Sequence, residues 1–166
     1  MTGALHRVGQ FWRHASARVR DEESAMADTI LGPALAPLFR ELAVNDQRHG
    51  LDVLQTVKRM DRTPTRLLQQ AALLHDVGKG GVRFSVVDRS LTVFLAALAP
   101  RVLEALLRTR PAFARRYRAY LDHARAGALR VADAGEIELA AIVAEHHLAE
   151  PVSDVTRRLQ AADRRN

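Results

Sequence analysis

The sequence predicts an all-α fold, and three observations carry that reading. Ala, Leu, Arg and Glu dominate the 166 residues, and all four favour helix. Strand-like alternation is missing apart from Val82 to Val87, which is short enough to read as a loop. Gly, Pro and capping residues cut the chain into helix-sized pieces. The length fits one domain with a real core, and 48% hydrophobic with 27% charged residues suits a globular chain.

Gly32-Pro33 breaks a first helical region, and Pro37 restricts the residues after it. Asn45 or Asp46 can cap a helix running through Val53 and Val57 to about Arg59. Thr63 is placed to cap the next, with Pro64 at its first position, where a missing N–H costs nothing. That helix carries Leu67, Leu68, Ala71, Ala72, Leu74 and His75, and stops at Gly78. Further helices are expected over Ser90–Leu107, Pro111–Leu121, Ala124–Ala134 and Glu136–Glu145, and Ser153 can cap a last one ending near Arg164. There is no internal repeat, low-complexity tract or linker.

Composition excludes several classes of function. Without cysteine there are no disulfides, thiolate zinc sites or cysteine nucleophiles. The net charge of +6 favours anionic partners, and 23 of the 25 basic residues are Arg. Aromatics at 5% argue against a stacking platform for single-stranded nucleic acid. The segment Met1 to Arg20 lacks the apolar core of a signal peptide. The most apolar stretch, Leu91 to Leu107, is interrupted by Pro100, Arg101 and Glu104 and falls short of the ~20 residues of a membrane span. It reads as a buried core helix, or else as an amphipathic segment touching a membrane or partner. A cytoplasmic location follows by default.

The chemistry lies in histidines and two aspartates. His49, His75, His123, His146 and His147 fall in the helical body; Asp76 follows His75 in AALLHDVGKGG, and Asp163 lies in LQAADRRN. Neutral imidazoles bind divalent transition metals, and a carboxylate can bridge two ions. Neighbouring residues on a helix point about 100° apart, so adjacent ligands suit a helix end beside two ions better than a chelate of one. Any one of these residues alone would pass as structural. The series His, His-Asp-x-Gly-Lys, His, His-His, Asp does not.

In that order the sequence resembles the HD-domain superfamily of metal-dependent phosphohydrolases, in its two-metal branch. QRHGLDVL is similar to the stretch holding the first histidine, and LLHDVGK to the doublet that names the family. His123, with Gly127 four residues on, is similar to the extra histidine of the two-metal branch, and His146-His147 to its histidine pair. The likeness covers about Asn45 to Asn166, and implies a compact helical bundle over 45–166 with a helical N-terminal extension over 1–44. It also implies a ligand set: His49, His75 and Asp163 on one ion, His123, His146 and His147 on a second, and Asp76 bridging. Imidazole-rich sites favour iron, manganese, nickel or zinc over magnesium. Lys79 would extend to a substrate phosphate, with Arg48 and Arg83 as further phosphate contacts. The pair His146-His147 is followed by LAEPVSDV, without the Gly-Tyr-Pro motif of the cyclic-di-GMP phosphodiesterases of this branch. Asn45 stands where some members place a glutamate for a third ion. The 47 residues from Asp76 to His123 predict an extra helix over the cleft.

The implied function is a metal-dependent phosphohydrolase or phosphodiesterase acting on a nucleotide or cyclic dinucleotide. The alternative is a non-catalytic module that senses a nucleotide. A nucleic-acid-binding helical protein is the third reading, but arginines scattered from Arg7 to Arg165 look like a solvated surface. The expected partner is a phosphorylated small molecule, with no specific nucleic acid and no membrane span. In the extension, Phe11, Trp12, Leu35, Leu38, Phe39 and Leu42 could pack on the bundle; an interaction segment is the other reading.

Overall fold

The computed structural model describes residues 18–80 and 86–166. The described residues form helices and turns, with no strand among them. Helix α1 (Asp21–Arg40) opens with Asp21, Glu22 and Glu23, whose charges suit the positive end of a helix. It is kinked where expected: Gly32 takes φ 74°, a conformation that disfavours any other residue. Helix α2 (Val44–Met60) starts earlier than the sequence suggests. Ala43 is its N-cap, and the Ala43 carbonyl accepts from the Asp46 and Gln47 amides, drawing both expected caps into the first turn.

Helix α3 (Arg66–Leu74) is capped by Thr65, whose Oγ1 accepts from Leu68 N at 3.2 Å, rather than by Thr63. The Thr63 amide instead donates to Asp61 Oδ1, and the proline after it holds Thr63 out of helical conformation. Leu68, Ala71, Ala72, Leu73 and Leu74 are all buried, so α3 is the central helix of the bundle. Beside the kink in α1, the Ile30 carbonyl accepts from Arg66 Nε and Gln70 Nε2, which ties α1 to α3.

A 3₁₀ turn (Val77–Lys79) comes next. The chain then runs through α4 (Val86–Leu98), α5 (Pro100–Thr109) and α6 (Pro111–Leu121) before returning as α7 (His123–Asp133), α8 (Ile137–Glu145) and α9 (Asp154–Asp163). The single helix expected over Ser90–Leu107 is two. Pro100 lacks an N–H and disfavours helical conformation in Ala99, which sits at φ −146°, ψ 59°. Ser153 caps α9 as expected, its Oγ accepting from Val155 N at 3.1 Å. No described helix is long and apolar enough to cross a membrane.

Two apolar clusters result. The larger joins α1, α2, α3, α7, α8 and α9 through residues such as Leu35, Phe39, Leu51, Leu54, Leu73, Val131, Leu139 and Leu159. From Asp21 onward the N-terminal segment is thus part of the main core. Leu35, Phe39 and Leu42 are buried and Leu38 packs on the core, while Phe11 and Trp12 lie outside the described residues. The smaller cluster centres on Leu103 and Phe113, with Leu95, Leu106, Leu107, Tyr117 and Tyr120 around them. The stretch expected to be a buried core helix is therefore not one. Leu91, Val93, Phe94, Leu98 and Val102 are exposed, because α4 to α6 pack on one another and bury only their inner faces.

One contact returns the chain to the bundle. A Cβ on Gly78 would lie 1.9 Å from the His123 carbonyl, and one on Gly127 would lie 2.9 Å from Gly78 N. Backbone meets backbone here, so α7 can seat on the 3₁₀ turn only while both positions lack a side chain. Gly78→Ala is expected to destabilise the protein by about 3 kcal/mol, the upper range for overpacking, because the clash is with main chain. Urea denaturation checks this; a midpoint unchanged from the parent would mean the contact is looser than described.

Candidate metal centre

The site is assembled from helix ends. The last carbonyls of a helix have no amide to accept from, and three histidines use that deficit. His75 closes α3, and its Nδ1 donates to the Ala72 carbonyl at 3.1 Å. His123 comes just after α6, and its Nδ1 donates to the Tyr120 carbonyl at 2.6 Å. His146 closes α8, and its Nδ1 donates to the Val143 carbonyl at 2.6 Å. A carbonyl only accepts, so each Nδ1 must carry the proton. Each Nε2 is then a lone pair on a neutral ring, the form that binds metal.

All three Nε2 atoms converge on Asp76, the residue that opens the 3₁₀ turn. His75 Nε2 lies 3.6 Å from Asp76 Oδ2, and His123 and His146 Nε2 lie 3.3 and 3.8 Å from Oδ1. Asp163 Oδ1, at the end of α9, lies 3.0 Å from His49 Nε2 and 3.9 Å from His75 Nε2. His147 Nε2 meets His123 Nε2 at 3.0 Å. The structure thus brings His49, His75, Asp76, His123, His146, His147 and Asp163 together. His75, Asp76, His123 and His146 are buried, His49 and Asp163 are half-buried, and His147 is exposed.

The ligand atoms form two groups that share Asp76. His49, His75 and Asp76 offer atoms within 4.8 Å of one another, and so do Asp76, His123, His146 and His147. Three buried atoms of this set, His75 Nε2, Asp76 Oδ1 and His146 Nε2, have no hydrogen-bond partner. Leaving such an atom unpaired costs about 1–3 kcal/mol. All three are acceptors, so no rearrangement among themselves can satisfy them. A divalent cation does, and the donor set suits a borderline transition metal.

Electrostatics prepare the same state. Burial pushes the His75 ring below its ordinary pKa, and burial with the neighbouring His75 pushes His146 down to about 3. Burial alone would raise the Asp76 carboxyl; the neighbouring His75 and Lys79 overcome it and hold Asp76 well below the carboxylate range. Burial would also raise Asp163, but the hydrogen bond from His49 holds it low. At neutral pH the buried pair of imidazoles is neutral and both carboxylates are ionised.

Lys79 stands three residues after Asp76 in the 3₁₀ turn, where such residues overlie one another. Its ammonium is paired with Asp76 Oδ2, and it lies 5.9 Å from the centre of the Tyr120 ring. Arg48 is not placed as the sequence reading expected. Its guanidinium is taken up by Glu23 at 2.7 Å and Asp52 at 2.9 Å, where it clamps α1 to α2, so a phosphate contact from Arg48 finds no support. Arg83 lies outside the described residues.

Several supporting groups escaped sequence reading. Gln160 reaches back from α9 and donates to the His146 and Leu148 carbonyls, fixing the turn that holds the histidine pair. Arg130 donates to the Val77 carbonyl and pairs with Glu41, bracing the 3₁₀ turn. Tyr120 stacks on His123 with ring centres 5.7 Å apart. Asn166 donates to Thr56 Oγ1 and to the Ala162 carbonyl, securing the turn after Asp163 against α2. None carries a motif; only Gly127, four residues after His123, had a sequence signal.

Comparison with curated proteins and with solved structures returns no significant match. Residues 47–165 match the HD domain, a span that takes in every residue of the cluster. A match over most of the chain, around a buried His-Asp doublet that joins two groups of ligands, makes this chain a member of the HD-domain superfamily of metal-dependent phosphohydrolases.

Proposed function

We propose that this chain is a two-metal phosphohydrolase that cleaves a phosphoester or phosphodiester of a nucleotide or cyclic dinucleotide. The observation that carries the reading is the shared carboxylate. Asp76 belongs to both ligand groups and has one buried oxygen without a hydrogen bond. In this reading His49, His75 and Asp163 take one ion, His123, His146 and His147 take the other, and Asp76 spans both. Iron, manganese, nickel or zinc suits these donors. When bound, such a pair supplies Lewis-acid polarisation of a phosphoryl oxygen and water activated near neutral pH.

The chain's own residues supply the rest. The helix-end carbonyls hold His75, His123 and His146 with Nε2 inward, so none of these three has to change tautomer. Lys79 holds a positive charge beside the bridging carboxylate, where a substrate phosphate would have to enter. Its ammonium can pass from Asp76 to a phosphoryl oxygen as negative charge builds there. A purely sensory module has no need of that charge, so Lys79 favours turnover over sensing.

Three outcomes are expected. Asp76→Ala should lose bound metal and all phosphoesterase activity while helical circular dichroism is kept. Elemental analysis of anaerobically purified protein, with a panel of linear and cyclic nucleotides, reads both; unchanged metal content would remove the bridging role. Lys79→Ala should keep its metal and lose about 10²–10³-fold in turnover, the range for one transition-state donor, and an unaltered rate would return Lys79 to a structural part. Adding manganese or zinc to metal-stripped protein at about 100 times Kd should contribute about 2.7 kcal/mol and raise Tm by roughly 5–10 °C. No shift in a thermal melt would show that the cluster does not hold those ions.

A further inference from the structure

The three helices between Lys79 and His123 carry a surface that the metal site does not explain. Val87, Leu91, Phe94 and Leu98 recur at helical spacing along α4 and are 66%, 42%, 59% and 69% exposed. They form one exposed apolar face, bordering the side where Leu95 joins the small cluster. Monomeric proteins rarely leave a stripe of this kind without a use.

The charge of the same unit is as uneven. Residues 86–121 hold seven arginines against Asp88 and Glu104, a net charge of +5, while the whole chain carries +6. Outside this unit, seven of the thirteen described arginines, Arg20, Arg40, Arg48, Arg125, Arg130, Arg157 and Arg158, pair with carboxylates, and Arg59, Arg66 and Arg164 donate to neutral oxygens. Within it, Arg101, Arg108, Arg110, Arg115, Arg116 and Arg118 are exposed, and none makes an ion pair among the described residues.

We infer that α4 to α6 dock this protein on an anionic lipid surface, with the α4 stripe entering the headgroup boundary and the unpaired arginines meeting lipid phosphates. The chemistry separates this occupant from two others. A second copy seated on the same face would bring two charges of +5 together, which opposes a symmetric pair. A nucleic acid would satisfy the arginines but leave three aliphatic side chains and one phenyl ring against phosphate and sugar. On α4 the only charged residues are Asp88 and Arg89, and the unpaired arginines belong to α5, α6 and the link between them. An apolar helix face joined to arginine-rich helices suits an anionic membrane surface on both counts. No described helix is both long and apolar enough to span, so the contact would be peripheral.

Co-sedimentation of the full chain with vesicles tests this. The protein should pellet with phosphatidylcholine vesicles containing phosphatidylglycerol, and stay in solution with phosphatidylcholine alone. The double variant Phe94→Ser/Leu98→Ser and the triple variant Arg115→Gln/Arg116→Gln/Arg118→Gln should each weaken partitioning by about a hundredfold. Arg157→Gln, an arginine outside the unit, should leave it unchanged. All these side chains are exposed, and circular dichroism confirms that each variant folds. Failure to pellet with anionic vesicles would overturn the inference. So would pelleting that Phe94→Ser/Leu98→Ser leaves untouched, since charge alone would then explain it. A dimer that this variant dissolves, or tight binding to a DNA duplex without vesicle binding, would assign the face to one of the rejected occupants.

Discussion

A helix runs out of amide donors at its C-terminus, and the candidate site depends on that deficit. Three times the chain ends a helix on a histidine or just before one, and three times the ring turns back to donate its Nδ1 proton. The carbonyls of Ala72, Tyr120 and Val143 thereby set the Nδ1–H form of His75, His123 and His146. In a helix interior the carbonyl already holds an amide, and the ring would be a second, competing donor. Placing the ligands at helix ends therefore selects their tautomer and points their lone pairs at a common target. The cost is concentrated in three buried acceptors without donors, and it arises from the same geometry.

That arrangement explains why the site was more legible in sequence than the frame around it. Ligand chemistry admits few residue types, so His49, His75, Asp76, His123, His146, His147 and Asp163 stood out in a chain with only seven histidines. Packing partners carry no such mark. Arg48 was expected to contact phosphate, but its partner Glu23 lies on another helix and could be found only by folding the chain. Thr63 and Thr65 look alike as caps until Pro64 between them is seen to keep the first out of the helix. Asp163 lies three residues from Asn166, and nothing in the sequence shows that Asn166 is tied to Thr56 and Ala162.

Hydrophobicity misled in a more instructive way. An apolar run states that burial would be favourable, not that a partner is available. Leu91 to Leu107 met the first condition, and the expectation of a core helix rested on it. Pro100 splits that run, and the two halves fold onto α6 instead of the bundle, around Leu103 and Phe113. The main core was already filled from both ends of the chain, by α1 and by α9. The remaining apolar face of α4 has nothing left in the described residues to cover it.

The small cluster and the ligand cluster nevertheless meet at one residue. The side chain of Tyr120 packs with the small cluster, its ring stacks on His123, and its carbonyl fixes the His123 tautomer. On the far side, Gly78 and Gly127 press α7 against the 3₁₀ turn that carries Asp76. His123 is thus held between a rigid backbone contact and the last turn of α6. A displacement of α6 would reach it through Tyr120 and through the short link Leu121–Asp122, while the glycine contact holds the other side.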